Sequence, residues 1–332
     1  MIKQFDFIAI GDITTDAFIK LKRENAHVMC DARGRKCQIC MDFGEKIEYE
    51  SVTEVPSVGN SPNAAVAAHR LGLSSALVTN LGDDYHGKRC MEQLLKEGVD
   101  TSFVKVHAGM ESNYHYVLWY EEERTILVKH NEYPYALPDI NNPKWVYLSS
   151  LGEHSLPYHK EIVSYLGAHQ DIKLSFQPGT FHIRLGYEAL QNIYGRSELF
   201  FCNTEEARQI LKTNETDIKK LLEAIRVLGP KTVAVTDGPA GAYAYDGETA
   251  WHIPMYPDPA PPISRTGAGD AFASTFTAML ALGKTVPEAL TYAPVNSMSV
   301  VQKVGAQEGL LTLPEIEEWL TKAPPEYKPK KI

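Results

Sequence analysis

Apolar and polar positions fall into two kinds of pattern along this chain. Short apolar runs at residues 5–10 (FDFIAI), 145–149, 172–176, 199–202 and 232–236 have the length of buried strands. Helix-period stretches separate them, and strands alternating with helices predict a doubly wound, mainly parallel α/β sheet. The second pattern is one-for-one alternation at residues 16–21 (DAFIKL) and 46–52 (KIEYESV), with two further strand-like runs at 114–120 and 125–128. A long αβ stretch divides these segments, so they predict a small second sheet, with edge strands of the main sheet as the alternative. Two Ala-rich helices are predicted as well, one opening at Asn63 and one following Asp270.

Composition adds bounds rather than detail. The chain has 332 residues, 44% hydrophobic and 23% charged, enough to bury one large core with a small appendage. A formal net charge of −9 argues against broad binding to nucleic acid or acidic membranes, because no basic surplus exists to displace counterions. No apolar run approaches the roughly 20 residues of a membrane helix, and the short apolar run near the start is entered through an acidic residue, without the basic region or small-residue cleavage site of a secretory signal. The expectation is a cytoplasmic protein with its five cysteines reduced.

The chemistry concentrates at residues 264–283, SRTGAGDAFASTFTAMLALG. Gly267, Ala268 and Gly269 stand directly before Asp270 at the start of a predicted helix. Small residues let backbone come close to a ligand, and free N–H groups at a helix start, reinforced by the helix dipole, attract anions. A carboxylate there would repel a resting phosphate, but it could take the proton from an alcohol attacking a phosphoryl group. A Gly-rich turn capped by Asp is the plainer alternative.

Other motifs give that choice context. Residues 57–72, SVGNSPNAAVAAHRLG, put Gly59 and Asn60 in a turn before Asn63 opens its helix; GDITTD places Asp16 beyond the carboxyl end of the first strand, the edge where open α/β sheets bind ligands. Asn203 ends a strand with Glu206 one turn into the next helix, a spacing that also suits a capping box, and Thr236, Gly238 and Gly241 follow the strand at 232–236.

In this order the motifs resemble those of the ribokinase-like (PfkB) carbohydrate and nucleoside kinases, from residue 5 to about residue 311. The resemblance implies a single domain over residues 1–332: a three-layer α/β/α sandwich with a mainly parallel sheet and a small β-sheet lid from segments of about 14–22, 45–54 and 104–130. It further implies ATP-dependent phosphorylation of a primary hydroxyl, with Asp270 as general base, the 267–270 amides on the transferring phosphate, and Asp16, Gly59, Asn60 and Asn63 on the acceptor. Asn203, Glu206, Thr236, Gly238, Gly241 and Asn296 fall on the nucleotide side, Glu206 holding Mg²⁺ through water. The family's Asp-Thr before the glycines is Ser264-Arg265 here, which gives no ground for expecting a K⁺ site. A sugar is the expected acceptor. The alternatives are a nucleoside, for which Tyr114, His115, Tyr116 and Trp119 supply aromatic surface and Gln177 replaces a common Asp, or a catalytically silent ligand-binding protein. A homodimer through the lid is the candidate assembly.

The resemblance leaves residues 23–44 unexplained. His27, Cys30, Cys37 and Cys40 could hold a tetrahedral Zn²⁺, with a reduced loop of incidental thiols as the alternative.

Overall fold

The structure, a computed structural model, describes residues 4–31, 37–121 and 123–332. Strands β1 (Phe7–Ile10), β2 (Thr14–Leu21), β3 (His27–Cys30), β4 (Cys37–Cys40) and β5 (Tyr49–Val58) open the chain. Next come α1 (Asn60–Arg70), β6 (Ser75–Gly82), α2 (Tyr85–Lys96), β7 (Val104–His107), β8 (Tyr114–Tyr120) and β9 (Glu123–Leu127). The second half begins with β10 (Trp145–Leu148), α3 (Leu156–Ala168), β11 (Lys173–Phe176), α4 (Thr180–Leu185), α5 (Tyr187–Arg196), β12 (Ser197–Asn203), α6 (Thr204–Leu211) and α7 (Ile218–Val227). It finishes with β13 (Thr232–Thr236), β14 (Ala242–Tyr245), β15 (Ala250–Ile253), α8 (Ala268–Ala281), α9 (Val286–Val300), α10 (Leu313–Thr321) and β16 (Lys330–Lys331).

Ten strands form the main sheet in the order β16-β15-β14-β13-β12-β11-β10-β1-β6-β7. Pairing is parallel from β13 to β7, and the last three pairings at the other edge are antiparallel. Side chains alternate across it: Phe7 and Ala9 enter a core with helices α1, α2, α8, α9 and α10, whereas Ile8 and Ile10 enter one with α3, α5, α6 and α7. Two cores separated by one sheet make the expected three layers. The alanines of α1, residues 64–68 with Val66, are fully buried against α8, so small side chains serve there to bring two helices close.

Strand β1 lies between β10 and β6, so the chain winds outward in both directions from it, and a crevice forms at the carboxyl ends on either side of such a switch point. Over this edge lies a four-stranded sheet, β5-β2-β8-β9. This is the expected lid with its limits shifted. Strand β7 pairs in parallel with β6 in the main sheet, so the third lid segment starts at Tyr114, well after residue 104. The predicted strand at 46–52 runs instead over Tyr49–Val58, because antiparallel pairing to β2 carries it to the start of α1.

The Cys-rich segment departs from expectation. His27–Cys30 and Cys37–Cys40 form a two-stranded antiparallel ladder, with His27 opposite Cys40 and Cys30 opposite Cys37. Cys30 and Cys37 are joined by a disulfide. Two sulfurs bonded to each other are not thiolate ligands, so the four-ligand zinc reading is corrected, as is the expectation that all five cysteines are reduced; Cys40, Cys90 and Cys202 are the free ones. Among the described residues no cluster of His, Cys, Asp or Glu is poised to hold a metal, and residues 32–36 of the predicted loop lie outside them. No helix among the described residues is long and apolar enough to cross a membrane.

Candidate active site

A cavity of about 910 Å³ lies between the lid and the carboxyl edge of the main sheet. Its floor is met strand by strand: Thr236 follows from β13, Asn203 from β12, Gln177 after β11, Ser150 after β10 and Asp12 after β1.

Helix α8 starts at this floor. Its N-cap Gly267 has φ 85°, and a Cβ there would stand 2.4 Å from the Ala306 Cβ, so only glycine closes this turn. Asp270, in the first turn, is gripped by three side-chain amides. Asn60 Nδ2 donates to Oδ1 at 2.8 Å, Asn63 Nδ2 to Oδ2 at 2.8 Å, and Gln177 Nε2 to Oδ1 at 3.1 Å. Asn60 and Asn63 sit three apart on α1 and therefore face the same way. Gln307 Nε2 donates to the Asn63 Oδ1 at 3.0 Å, which fixes the amide's orientation, and Tyr147 donates to the Gln177 Oε1. Burial pushes the Asp270 carboxyl up, and the amides of Asn63, Gln177 and Asn60, with the Arg124 charge, partly offset this. Such a carboxylate is oriented, ionisable and more basic than an exposed one.

At the other end of the cavity lie Asp12, Asp16, Gly59, His115 and His130. Gly59 has φ 123°, and a Cβ would meet the Asp12 carbonyl at 2.8 Å. A bulge precedes it: Thr14 pairs with Val58 and Asp16 with Val55, one residue more on β5 than on β2, and Ser57 within it has φ 65°. Asp16 is 8% exposed and lies 3.3 Å from the His115 Nδ1 on the neighbouring strand. Asp12 accepts from the Tyr135 hydroxyl at 2.9 Å, with the His130 Nδ1 3.2 Å away.

On the remaining side, Asn203 Oδ1 accepts from the Glu206 N–H at 2.8 Å and Glu206 Oε2 accepts from the Asn203 N–H at 2.9 Å, a reciprocal capping box. The plain reading of this pair holds, and both residues also line the cavity. Burial, then the neighbouring charges of Asp270 and Glu205, push the Glu206 carboxyl up. Uncompensated negative charge with one carboxylate oxygen outside the cap suits the waters of a divalent cation, so these residues fit Mg²⁺.

Not every expected residue arrives here. Gly267, Gly269, Asp16, Gly59, Asn60, Asn63, Asn203, Glu206 and Thr236 line the cavity together with Asp270. Ala268 lies behind it, its carbonyl accepting from the Ser297 hydroxyl at 2.8 Å. Gly238 and Gly241 lie outside the lining; Gly241 has φ 96° and its missing Cβ makes room for the Ile253 carbonyl, a packing role. Asn296 is corrected: it is fully buried, donates to the Thr275 hydroxyl at 2.8 Å and accepts from the Leu311 N–H at 2.9 Å, so its amide is spent on holding α9 to α8 and to the following loop. Of the four lid aromatics, only His115 lines this cavity. Asp12, Arg124, His130 and Tyr135 were missed, and Gln177 was singled out only for standing in place of a common Asp. The carboxyl-edge rule flags Asp12 and Gln177, each just past a predicted strand, whereas the other three depend on how the lid folds over.

Sequence comparison matches residues 27–313 to the pfkB family carbohydrate kinases. Ribokinase of Bacillus subtilis (strain 168) is 28% identical over 285 residues, covering 84% of this chain and 92% of the relative. The structure of Arabidopsis thaliana ribokinase complexed with ribose and ATP superposes with a TM-score of 0.78 at 18% identity, covering 96% of this chain and 99% of that one. A nucleoside kinase of Methanocaldococcus jannaschii gives 0.76 at 18%, covering 96% and 99%, which speaks to the fold alone. With its sandwich, lid and cavity, this chain belongs to the pfkB family of carbohydrate kinases, phosphotransferases that act on an alcohol group.

Proposed function

We propose that the protein phosphorylates a primary hydroxyl of a sugar or sugar-like small molecule with ATP, Asp270 acting as the general base. The observation that carries this reading is the grip of Asn60, Asn63 and Gln177 on Asp270 in the first turn of α8, between an acceptor end marked by Asp16 and a far side marked by Asn203, Glu206 and Thr236. The acceptor hydroxyl gives its proton to a carboxylate oxygen as its own oxygen attacks the γ-phosphorus, and the bond from that phosphorus to the β,γ-bridging oxygen breaks, the electron pair leaving with ADP. The α8 N-terminus stabilises charge gathering on the transferring group. Mg²⁺, held through water by Glu206, would neutralise the β and γ oxygens when bound with the nucleotide. Lid strands over the cavity exclude water as a competing acceptor. Tyr114, Tyr116 and Trp119 lie off the lining, so of the four aromatic residues that favoured a nucleoside only the His115 imidazole is at the acceptor end, which supports a sugar.

The experiment is ADP release with ATP and a panel of sugars and nucleosides, beside calorimetric ATP binding. Turnover of a sugar that falls roughly 10²- to 10⁴-fold in Asp270→Asn with ATP binding kept is the expected result. Tight binding with no turnover of any compound would instead support a silent ligand-binding protein.

A further inference from the structure

Two polar atoms at the acceptor end have no hydrogen-bond partner among the described residues: Asp16 Oδ1 and His115 Nε2. Both side chains line the cavity, and both are largely buried, with 11% and 12% of their surfaces exposed. They sit side by side because β2 and β8 are parallel neighbours with Asp16 in register with His115. The 3.3 Å from His115 Nδ1 to Asp16 Oδ1 brings the pair within ion-pair reach without making a hydrogen bond.

The His115 ring is not free to swing elsewhere. It packs on the His130 ring with centroids 5.1 Å apart, and His130 is in turn set by Asp12, 3.2 Å from its Nδ1, and by the edge of Phe181 at 5.5 Å. Asp12 is itself anchored by the Tyr135 hydroxyl at 2.9 Å. With a hydrogen on Nδ1 facing the Asp16 carboxylate, His115 Nε2 carries a lone pair. Asp16 and His115 then offer two acceptors next to each other, both left unsatisfied by protein. Unmade hydrogen bonds of buried groups are costly, and an occupant of the cavity with two neighbouring O–H donors removes that cost.

We propose that His115 is a specificity-determining residue which, with Asp16, selects acceptors carrying two adjacent hydroxyls away from the one that is phosphorylated. This rests on the sugar-kinase reading above and adds the second acceptor atom and the class it selects. Each hydroxyl donates once, one to the carboxylate and one to the imidazole. A sugar lacking either leaves a buried acceptor unpaired.

His115→Phe and His115→Gln separate this role from packing, since Phe keeps the ring on His130 without its nitrogens and Gln restores an acceptor. The probes are D-ribose with its 2-deoxy and 3-deoxy analogues and D-fructose with its 3-deoxy and 4-deoxy analogues, read as kcat/KM and by saturation-transfer NMR binding. The wild type is expected to prefer at least one parent sugar over a deoxy analogue by roughly 10- to 100-fold. His115→Phe should bring that ratio to within about threefold and raise acceptor KM similarly, leaving KM for ATP and the melting temperature in place, and His115→Gln should recover most of the preference. A His115→Phe enzyme that keeps the wild-type ratio for every pair overturns the proposal while the kinase reading stands. If the wild type phosphorylates no sugar, the kinase reading has failed, and the binding ratios still decide: no difference between parent and deoxy sugars overturns the diol selection too.

Discussion

The buried histidine pair His159 and His182 gives a stability prediction with a defined sign. His159 Nδ1 donates to the Ser155 carbonyl at 2.7 Å, so its Nε2 carries the lone pair. His182 Nδ1 accepts from the Gly179 N–H at 3.0 Å, so its Nε2 carries the hydrogen, and the two Nε2 atoms meet at 2.7 Å. The geometry requires both rings neutral. Burial holds His182 well below the usual imidazole range, helped by His159, and burial likewise lowers His159. In the unfolded chain both would take protons near pH 6.5, so the stability they contribute is fully present above that pH and is lost as pH falls below it, at up to about 1.4 kcal/mol per pH unit for each ring. His182→Leu leaves the His159 Nε2 and the Gly179 N–H unpaired; at about 1–3 kcal/mol each, the expected loss is about 2–6 kcal/mol. That is a large share of the roughly 5–15 kcal/mol by which domains are stable. Urea unfolding midpoints at constant m-value, from pH 5 to 8, measure both effects. The variant should be less stable at pH 8 and show a shallower fall below pH 6.5. A loss under about 0.5 kcal/mol, or a wild-type slope retained in full, would refute the reasoning.

Four further outcomes follow from the site and the hairpin. Gly267→Ala, which places a methyl 2.4 Å from Ala306 at φ 85°, should cost about 1–3 kcal/mol and most of the turnover; unchanged melting and kcat would show that the turn can relax. Glu206→Gln should raise the Mg²⁺ concentration needed for half-maximal rate while leaving acceptor KM alone, and an unaltered Mg²⁺ titration removes Glu206 from that role. Asp16→Ala should raise KM for the acceptor far more than for ATP, and equal effects on both place Asp16 outside the acceptor pocket. Thiol titration of the unfolded, unreduced protein should count the three free cysteines, rising to five after reduction; five before reduction would mean the Cys30–Cys37 bond is absent.

Much of the fold was legible in the chain itself. Short continuous apolar runs carry the strands at 145–148, 173–176 and 232–236 almost residue for residue, because a parallel strand buried on both faces needs such a run and each is bounded by polar turns. The same local chemistry announced Gly59 and Gly267, whose positive φ values few other residues could adopt. Asp270, Asn60 and Asn63 stood out because small-residue turns before helices mark places where backbone and side chains meet a ligand. Local pattern cannot count how strands from distant segments pair. It therefore misplaced β7 in the lid, read the β3–β4 hairpin as a loop of either zinc ligands or incidental thiols, and took Asn296 for a nucleotide contact when its amide is satisfied inside the core. Tertiary structure alone decided that Gln177 reaches Asp270 across 93 residues and that Tyr135 reaches Asp12 across 123. It alone set Asp16 beside His115, since that adjacency is a matter of register between strands nearly a hundred residues apart, and register is fixed by which faces the whole molecule buries.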